Sequence, residues 1–433
     1  QESTLEQRFD LLLARERIYS RQGVRDKQAA DLGAAQAVAE GLNNPTRLAM
    51  ANNRQAYYYR LINDYERSID YGDQALAAAR QAEDSVLEGE ALFNLAYTAE
   101  DQGQFDIAQQ HLETGLAILE KTDDRRGEAI ALVGLGKLHV DLNHYEKAQS
   151  YYYRALAMNR SLGNRRGEAI CLDRLGELER KQGNYSAACS YYEQTLGIFR
   201  TIGDRQGEAD ALKHLGRAYL AMGSYESARS YIEQADPIYR SIDDQDGMAD
   251  VLMVLSTIHY ARAEYETARA EAEHALAIFD DMGGQADVAD ARLLVGHALE
   301  GLGDLTTAHK TYEKTLSEEL AVGDEAGALD ARAGLARCLL AQEDVDGALA
   351  QIELTITWLT NNGLSGIDQP FDLYLTAYRV LQSAARAETA QKVLAEAHTL
   401  LHDRAAQIAD DDLRQSFLEN VSQNKAIVRE WGK

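Results

Sequence analysis

The sequence predicts an all-α solenoid of about ten antiparallel helical hairpins with a C-terminal helical cap. The motif Asp/Asn-Arg-Arg/Gln-Gly-Glu-Ala recurs every forty residues, at 124–129, 164–169 and 204–209. Such internal repetition is typical of stacked supersecondary units. The chain has 3 prolines in 433 residues, and proline breaks helix interiors. Apolar residues between the motifs follow helical steps, for example from Leu132 to Leu135.

Each unit begins with a residue that suits a helix N-cap, because its side chain accepts from the free N–H groups of the first turn. These residues are Asn44, Asp84, Asp124, Asn164, Asp204, Asp244 and Asp324, with a lapse at Gly284. Units are therefore expected to start near residues 5, 44, 84, 124, 164, 204, 244, 284 and 324. We predict a repeat array over 1–363, and a final helical hairpin with capping helices over 364–433.

A second turn divides each unit into a helix A and a helix B. Glycine or asparagine marks it, since both tolerate the left-handed backbone of a helix end. The positions are Gly103, Asn143, Gly183, Gly223 and Gly303.

Charge and hydropathy limit the partners and the compartment. The formal net charge of -26 disfavours nucleic acid, because phosphate binding needs a basic face. No apolar run approaches the roughly 20 residues of a membrane span, and no signal-peptide pattern opens the chain. We expect a cytoplasmic protein that does not contact a membrane. The chain begins with Gln1, so we expect a processed product or a piece of something longer.

Residues 181–196, Lys-Gln-Gly-Asn-Tyr-Ser-Ala-Ala-Cys-Ser-Tyr-Tyr-Glu-Gln-Thr-Leu, resemble the second half of a tetratricopeptide repeat. The small residue of that family recurs at Ala108, Ala148, Ala188, Ala228, Ala268, Ala308 and Ala348. The unit here is forty residues rather than the usual 34 and lacks the closing proline, like a variant found in bacterial regulators. The resemblance implies a right-handed superhelical solenoid whose A helices line a concave groove.

Both ends of the chain also resemble the repeat regions of large bacterial signalling ATPases. The stretches concerned are residues 8–15 and 413–424. The resemblance implies a sensor region whose ATPase or effector domain lies outside this chain.

Groove positions that differ between otherwise matching units are the candidate ligand contacts, because packing does not dictate the residue there. Several of these residues are basic, which favours an acidic peptide or a phosphorylated or carboxylated ligand. The candidates are Lys137, Arg174, Glu177, Arg180, Lys181, Lys213, His214, Arg217, Tyr260 and His297. The alternative is that these charges pair internally, with Asp173, Glu177 and Asp210 on neighbouring helices.

No catalytic or metal-binding motif stands out. The histidines form neither HExxH nor a Cys/His cluster of zinc spacing, so we expect no cofactor, no metal and no enzymatic activity. A groove pocket that joined His214 and Glu177 to a metal would revive the enzyme hypothesis.

The favoured function is non-enzymatic recognition of a protein segment, a peptide or a small effector in the concave groove. The resemblance implies a regulatory portion of a bacterial signalling protein. The alternative is a stand-alone assembly or adaptor protein with constitutive protein partners.

Overall fold

The structure, a computed structural model, describes residues 2–122, 124–282, 285–364, 367 and 370–433. Within them the chain forms 22 α-helices and no strand. The first ten are α1 (Glu2–Arg21), α2 (Arg25–Leu42), α3 (Pro45–Leu61), α4 (Tyr65–Gln81), α5 (Ser85–Asp101), α6 (Phe105–Lys121), α7 (Arg125–Asp141), α8 (Tyr145–Ser161), α9 (Arg165–Lys181) and α10 (Tyr185–Ile202). The next six are α11 (Arg205–Ala221), α12 (Tyr225–Ile242), α13 (Gln245–Ala261), α14 (Tyr265–Met282), α15 (Gln285–Gly301) and α16 (Leu305–Val322). The last six are α17 (Gly327–Ala341), α18 (Val345–Asn362), α19 (Pro370–Ser383), α20 (Ala387–Ala406), α21 (Asp411–Glu419) and α22 (Ser422–Trp431).

Consecutive helices form hairpins, and the hairpins stack in chain order. Each odd-numbered helix from α3 to α17 also contacts the next odd-numbered helix. These are the predicted A helices, and together they form one continuous layer. We call the exposed side of this layer the inner surface. The prediction of an all-α superhelical solenoid is confirmed.

The predicted caps are present at the starts of the A helices. The side chains of Asn164, Asp204 and Asp244 accept hydrogen bonds from the backbone N–H three residues later, at 3.2, 3.1 and 3.0 Å. The second turns have the expected left-handed backbone, with φ of 59° at Asn143 and 83° at Gly183. The lapse at Gly284 lies outside the described residues.

Helix A and helix B approach closely where a glycine on one faces a tyrosine ring on the other. A Cβ at Gly176 would lie 2.6 Å from Cε1 of Tyr192, and Tyr192 is fully buried. Gly296 stands in the same relation to Tyr312, at 2.6 Å. The absence of a side chain at these glycines therefore sets the distance between the two helices.

Both ends of the chain reach back to hairpins far away in sequence. The Arg25 Nε donates to the Met282 carbonyl at 3.5 Å, which joins the first hairpin to α14. The Arg404 Nη1 donates to the Tyr185 hydroxyl at 3.2 Å, which joins α20 to the start of α10. The C-terminal helices thus pack against the middle of the array as well as against the last hairpin. The division at residue 363 stays a prediction.

We predict opposite effects for two glycine substitutions in the same hairpin. Gly176→Ala should lower the free energy of unfolding by about 1–3 kcal/mol, because the new methyl group overlaps the Tyr192 ring. Gly197→Ala should raise it by up to about 1 kcal/mol, because alanine favours a helix and nothing lies within 4 Å of the new Cβ. Urea denaturation followed by circular dichroism measures both. Equal effects of the two substitutions would contradict the close approach.

Candidate binding surface on the inner helices

Polar side chains on the inner surface bridge neighbouring A helices. The Asn94 Nδ2 on α5 donates to the Asn53 Oδ1 on α3 at 3.2 Å. Farther along, Arg337 on α17 pairs with Glu300 on α15 at 2.8 Å and with Asp372 on α19. These bridges pair polar groups of one A helix with those of the next and connect the stacked helices.

Lys137 is paired on both sides. Its Nζ lies 2.8 Å from Glu100 Oε2 on α5 and 3.1 Å from Asp141 Oδ2 on its own helix. Burial raises the pKa of Glu100 to about 7 against the opposing effect of Lys137. The other oxygen of Glu100, Oε1, is buried without a hydrogen-bond partner. This end of the inner surface therefore holds a carboxylate with unused hydrogen-bonding capacity.

Lys213 and Arg217 on α11 share one carboxylate, Asp250 on α13. Lys213 is buried and its Nζ pairs with one Asp250 oxygen, while the Arg217 Nη2 lies 2.6 Å from the other. Burial opposes ionisation of Asp250, but Arg217 and Lys213 lower its pKa to about 2. Asp210, one of the acids named in the internal-pairing alternative, is 3.9 Å from Lys213, so Asp250 is the main partner of Lys213.

His214 and Arg180 are also engaged by carboxylates. The His214 Nδ1 is 2.7 Å from Asp173 Oδ1 on α9, and Arg180 forms two hydrogen bonds to Glu177, at 2.8 and 3.0 Å. The Tyr192 hydroxyl donates to Glu177 at 3.1 Å. Burial opposes the charge on Glu177, but Arg180 holds its pKa well below the usual range. These candidates are therefore brought together as one internally paired cluster.

Arg174 is exposed and has no hydrogen-bond or ion-pair partner among the described residues. The reason lies in the sequence of the preceding A helix. His214 on α11 pairs with Asp173 on α9, whereas the residue of α7 at the corresponding position relative to Arg174 is Val133, followed by Gly134. Neither residue offers a side-chain acceptor. Lys181, at the end of the same helix, likewise has no ion pair in the described part of the chain.

Two tyrosines lie near Arg174. Its charge lowers the pKa of both Tyr97 and Tyr152, although burial is the largest effect and raises each. The Tyr97 hydroxyl would be 3.3 Å from a Cβ at Gly134. Lys137 lies over the Tyr97 ring, 6.0 Å from its centroid. Arg174 therefore lies near two phenol groups, one of which, Tyr97, also lies beside Gly134.

Tyr260 and His297 form a separate group. Their rings meet edge to face, with centroids 5.9 Å apart, and His297 meets Tyr312 in the same way at 5.7 Å. Burial raises the pKa of Tyr260 to about 12 and lowers the pKa of His297. The His297 Nε2 is buried without a partner. These two residues lie near Arg337, whose charge lowers the pKa of both.

The role of Asp250 in pairing Lys213 and Arg217 was not anticipated from the sequence. The available signal was that Asp250 occupies the register position of Asp210, one unit later.

Among the described residues, no three His, Cys, Asp or Glu side chains have the arrangement of a metal site. Of the described helices, none combines the length and the hydropathy that crossing a bilayer requires.

Two family models, both described as tetratricopeptide repeat, match the chain. The first matches residues 46–121, 88–161 and 168–241. The second matches residues 133–199 and 293–356. Together they account for more than half of the sequence. No curated protein is significantly similar in sequence.

Several solved structures share the fold. One is a signal transduction ATPase with numerous domains and a tetratricopeptide repeat sensor from Pyrococcus horikoshii, with 18% identity, a TM-score of 0.51, and 84% of this chain and 54% of that chain covered. This chain thus spans about half of that protein's length. A Rap protein complexed with competence and sporulation factor has 17% identity, a TM-score of 0.51, and coverages of 80% and 99%. The apo quorum sensor NprR from B. thuringiensis has 13% identity, a TM-score of 0.53, and coverages of 81% and 98%.

We predict that Asp250→Asn lowers the free energy of unfolding by about 3 kcal/mol, because it leaves the buried Lys213 charge uncompensated. Adding Lys213→Met should restore part of this loss, since the unpaired charge is then removed. Thermal unfolding measures the variants, with the exposed Asp280→Asn as the control for charge. If the losses of unfolding free energy in the two single variants simply add in the double variant, the pairing of Lys213 with Asp250 is contradicted.

The effect of Asp250→Asn should also depend on pH. The folded pKa of Asp250 is about 2, below the unfolded value of about 3.9. The carboxylate therefore contributes stability that is present above about pH 4 and lost as pH falls toward 2. The difference in Tm between the natural protein and Asp250→Asn should shrink over this range. A difference that stays constant from pH 5 to the acid limit would contradict it.

Proposed function

The chain belongs to the tetratricopeptide repeat family, and we propose on this premise that its inner surface binds an extended peptide or protein segment. The fold supports this function, because stacked hairpins present a long surface on which successive helices contact successive ligand residues. Two of the structurally similar proteins have structures in complexes, one with competence and sporulation factor and one with the Phr* peptide.

The ligand that we propose carries a carboxylate or phosphate group that pairs with Arg174. The supporting observation is the contrast between Arg174 and its neighbours. Lys137, Arg180, Lys213 and Arg217 already have carboxylate partners, whereas Arg174 is exposed beside Tyr97 and has none among the described residues. An incoming anion would pair with Arg174 without breaking an existing ion pair. Charge-assisted hydrogen bonds of this kind are among the stronger polar contacts in proteins.

Lys181 provides a second positive charge at the end of the same helix. Glu177 and Arg180, which lie between Arg174 and Lys181 in sequence, pair with each other and fix this part of the helix surface. We propose that the internally paired residues Lys213, His214 and Arg217 shape the surface rather than supply its free charge. Tyr260 and His297 would then contact a more distant part of an extended ligand. The buried Glu100 would accept from a ligand N–H if its oxygen became accessible.

We further propose that the chain is the regulatory, ligand-recognising portion of a bacterial signalling protein. The alignment of 84% of this chain with 54% of the Pyrococcus horikoshii ATPase supports this arrangement. A neighbouring ATPase or effector domain would then respond to the bound ligand. In the alternative, a constitutive adaptor, ligand binding would have no effect on a second domain.

Peptide selection tests the proposed ligand class. A random peptide library is selected on the immobilised protein, and the affinities of the selected peptides are measured by fluorescence anisotropy. We expect enrichment of Asp and Glu, and affinity at least about tenfold weaker for Arg174→Glu, because an attractive charge becomes repulsive. The control Arg154→Glu makes the same charge change on an exposed position of α8 and should bind as the natural protein does.

The two levels of the proposal fail separately. Acid-rich peptides that bind Arg174→Glu as tightly as the natural protein would exclude the anion subsite. If the selected peptides bind without competing with one another, they share no common site. Peptide recognition on the inner surface is then itself wrong.

A further inference from the structure

A cavity of about 330 Å³ lies between helices α1, α2 and α3 on one side and α11, α13, α14 and α15 on the other. We call it the seam cavity. Its lining combines the end of α1, at Ser20 and Arg21, with the starts of α13 and α15, at Asp246 and Asp287. The contact between Arg25 and the Met282 carbonyl closes one side. The volume falls in the range of small-ligand pockets, roughly 300–1,000 Å³.

Four aspartates line the seam cavity, and two of them have structural roles. Asp244 caps α13 by accepting from the Gly247 N–H at 3.0 Å. Asp210 accepts from the Tyr239 hydroxyl at 2.7 Å. The other two, Asp246 and Asp287, have no side-chain partner among the described residues and are exposed to solvent. Two carboxylates on neighbouring helices therefore line the cavity without a hydrogen bond or an ion pair to another described side chain.

The positive groups of the lining form no ion pair with these two carboxylates, although burial, which lowers the pKa of Arg25, is opposed by the smaller effect of Asp246, which raises it. Arg25 is occupied, since it donates to Gln28 at 2.9 Å and to the Met282 carbonyl. Arg21 forms no ion pair in the part of the chain that the structure describes, so it does not reach Asp246 or Asp287. The carboxylates that line the cavity outnumber the guanidinium groups by four to two.

The remaining lining favours an organic ligand. Tyr57, Phe279 and Met282 contribute ring and thioether surface. This surface suits the carbon atoms of an organic ligand and is a poor environment for a hydrated metal ion. Magnesium and calcium prefer oxygen ligands on several sides. A compact organic cation satisfies both parts of the lining, since its charged end pairs with carboxylates and its carbon atoms contact the apolar wall.

From this geometry we infer that the seam cavity binds a small organic cation, whose primary ammonium or guanidinium group pairs with Asp246 and Asp287. The site is independent of the anion subsite at Arg174. It links α1, which contributes Arg21, to α13 and α15. Occupancy therefore stabilises the contact between the first hairpin and the middle of the array, since a ligand that binds only the folded state favours it.

Calorimetric titration with L-arginine amide tests the site, because this probe carries both cationic groups and no carboxylate. We expect saturable binding at millimolar probe or below, and an increase in Tm. Asp246→Asn/Asp287→Asn should bind at least about tenfold more weakly, because charge-assisted hydrogen bonds are lost. The control is Asp280→Asn/Asp281→Asn, which removes the same charge from exposed positions of α14 and should bind normally.

A second variant guards against misfolding of the first. Arg21→Gln removes the unpaired positive charge of the lining and should tighten probe binding severalfold, in the opposite direction from the aspartate variant. Sodium chloride at equal ionic strength should give no saturable heat, and magnesium chloride should not displace the probe. Absence of saturable binding, equal binding by the aspartate variant, or displacement by magnesium would each overturn the inference.

Discussion

The close approach of helix A to helix B depends on a tyrosine ring that lies against a glycine. At Gly176 this ring belongs to Tyr192, which is fully buried. A buried hydroxyl requires a hydrogen-bond partner, and the Tyr192 hydroxyl finds Glu177 at 3.1 Å. Tyr312 likewise donates to Glu300 at 3.0 Å. The packing between the two helices therefore also fixes a carboxylate on the inner surface.

These carboxylates determine which cations of the inner surface remain free. Glu177 pairs with Arg180, and Glu300 pairs with Arg337. Because each bridge joins stacked helices or fixes one helix surface, most inner charges contribute to the scaffold. Arg174 differs, since α7 presents Val133 and Gly134 where another unit presents an acid. The lack of an ion pair at Arg174 follows from one interruption in an otherwise regular pattern.

The sequence was sufficient to predict the caps and turns that repeat from unit to unit. It was insufficient to predict the side-chain partners that differ between units. The caps at Asn164 and Asp204 and the left-handed turn at Gly183 depend on local backbone chemistry, so the forty-residue spacing located them correctly. The partner of Lys213 depends on the lateral offset between α11 and α13, which no local pattern encodes. Asp210, three residues away in sequence, was one of the acids named for internal pairing, yet Asp250, thirty-seven residues away, is the main partner.

Contacts between remote hairpins were the least predictable, because they depend on the summed rotation of every unit between them. Arg25 and Met282 are 257 residues apart, and Arg404 and Tyr185 are 219 apart. These contacts also constrain the function. A ligand that changed the angle between stacked A helices would displace the first hairpin from α14, or α20 from the start of α10. The ends of the array therefore oppose a change in curvature, and a ligand alters the shape only to the extent that it binds one shape more tightly.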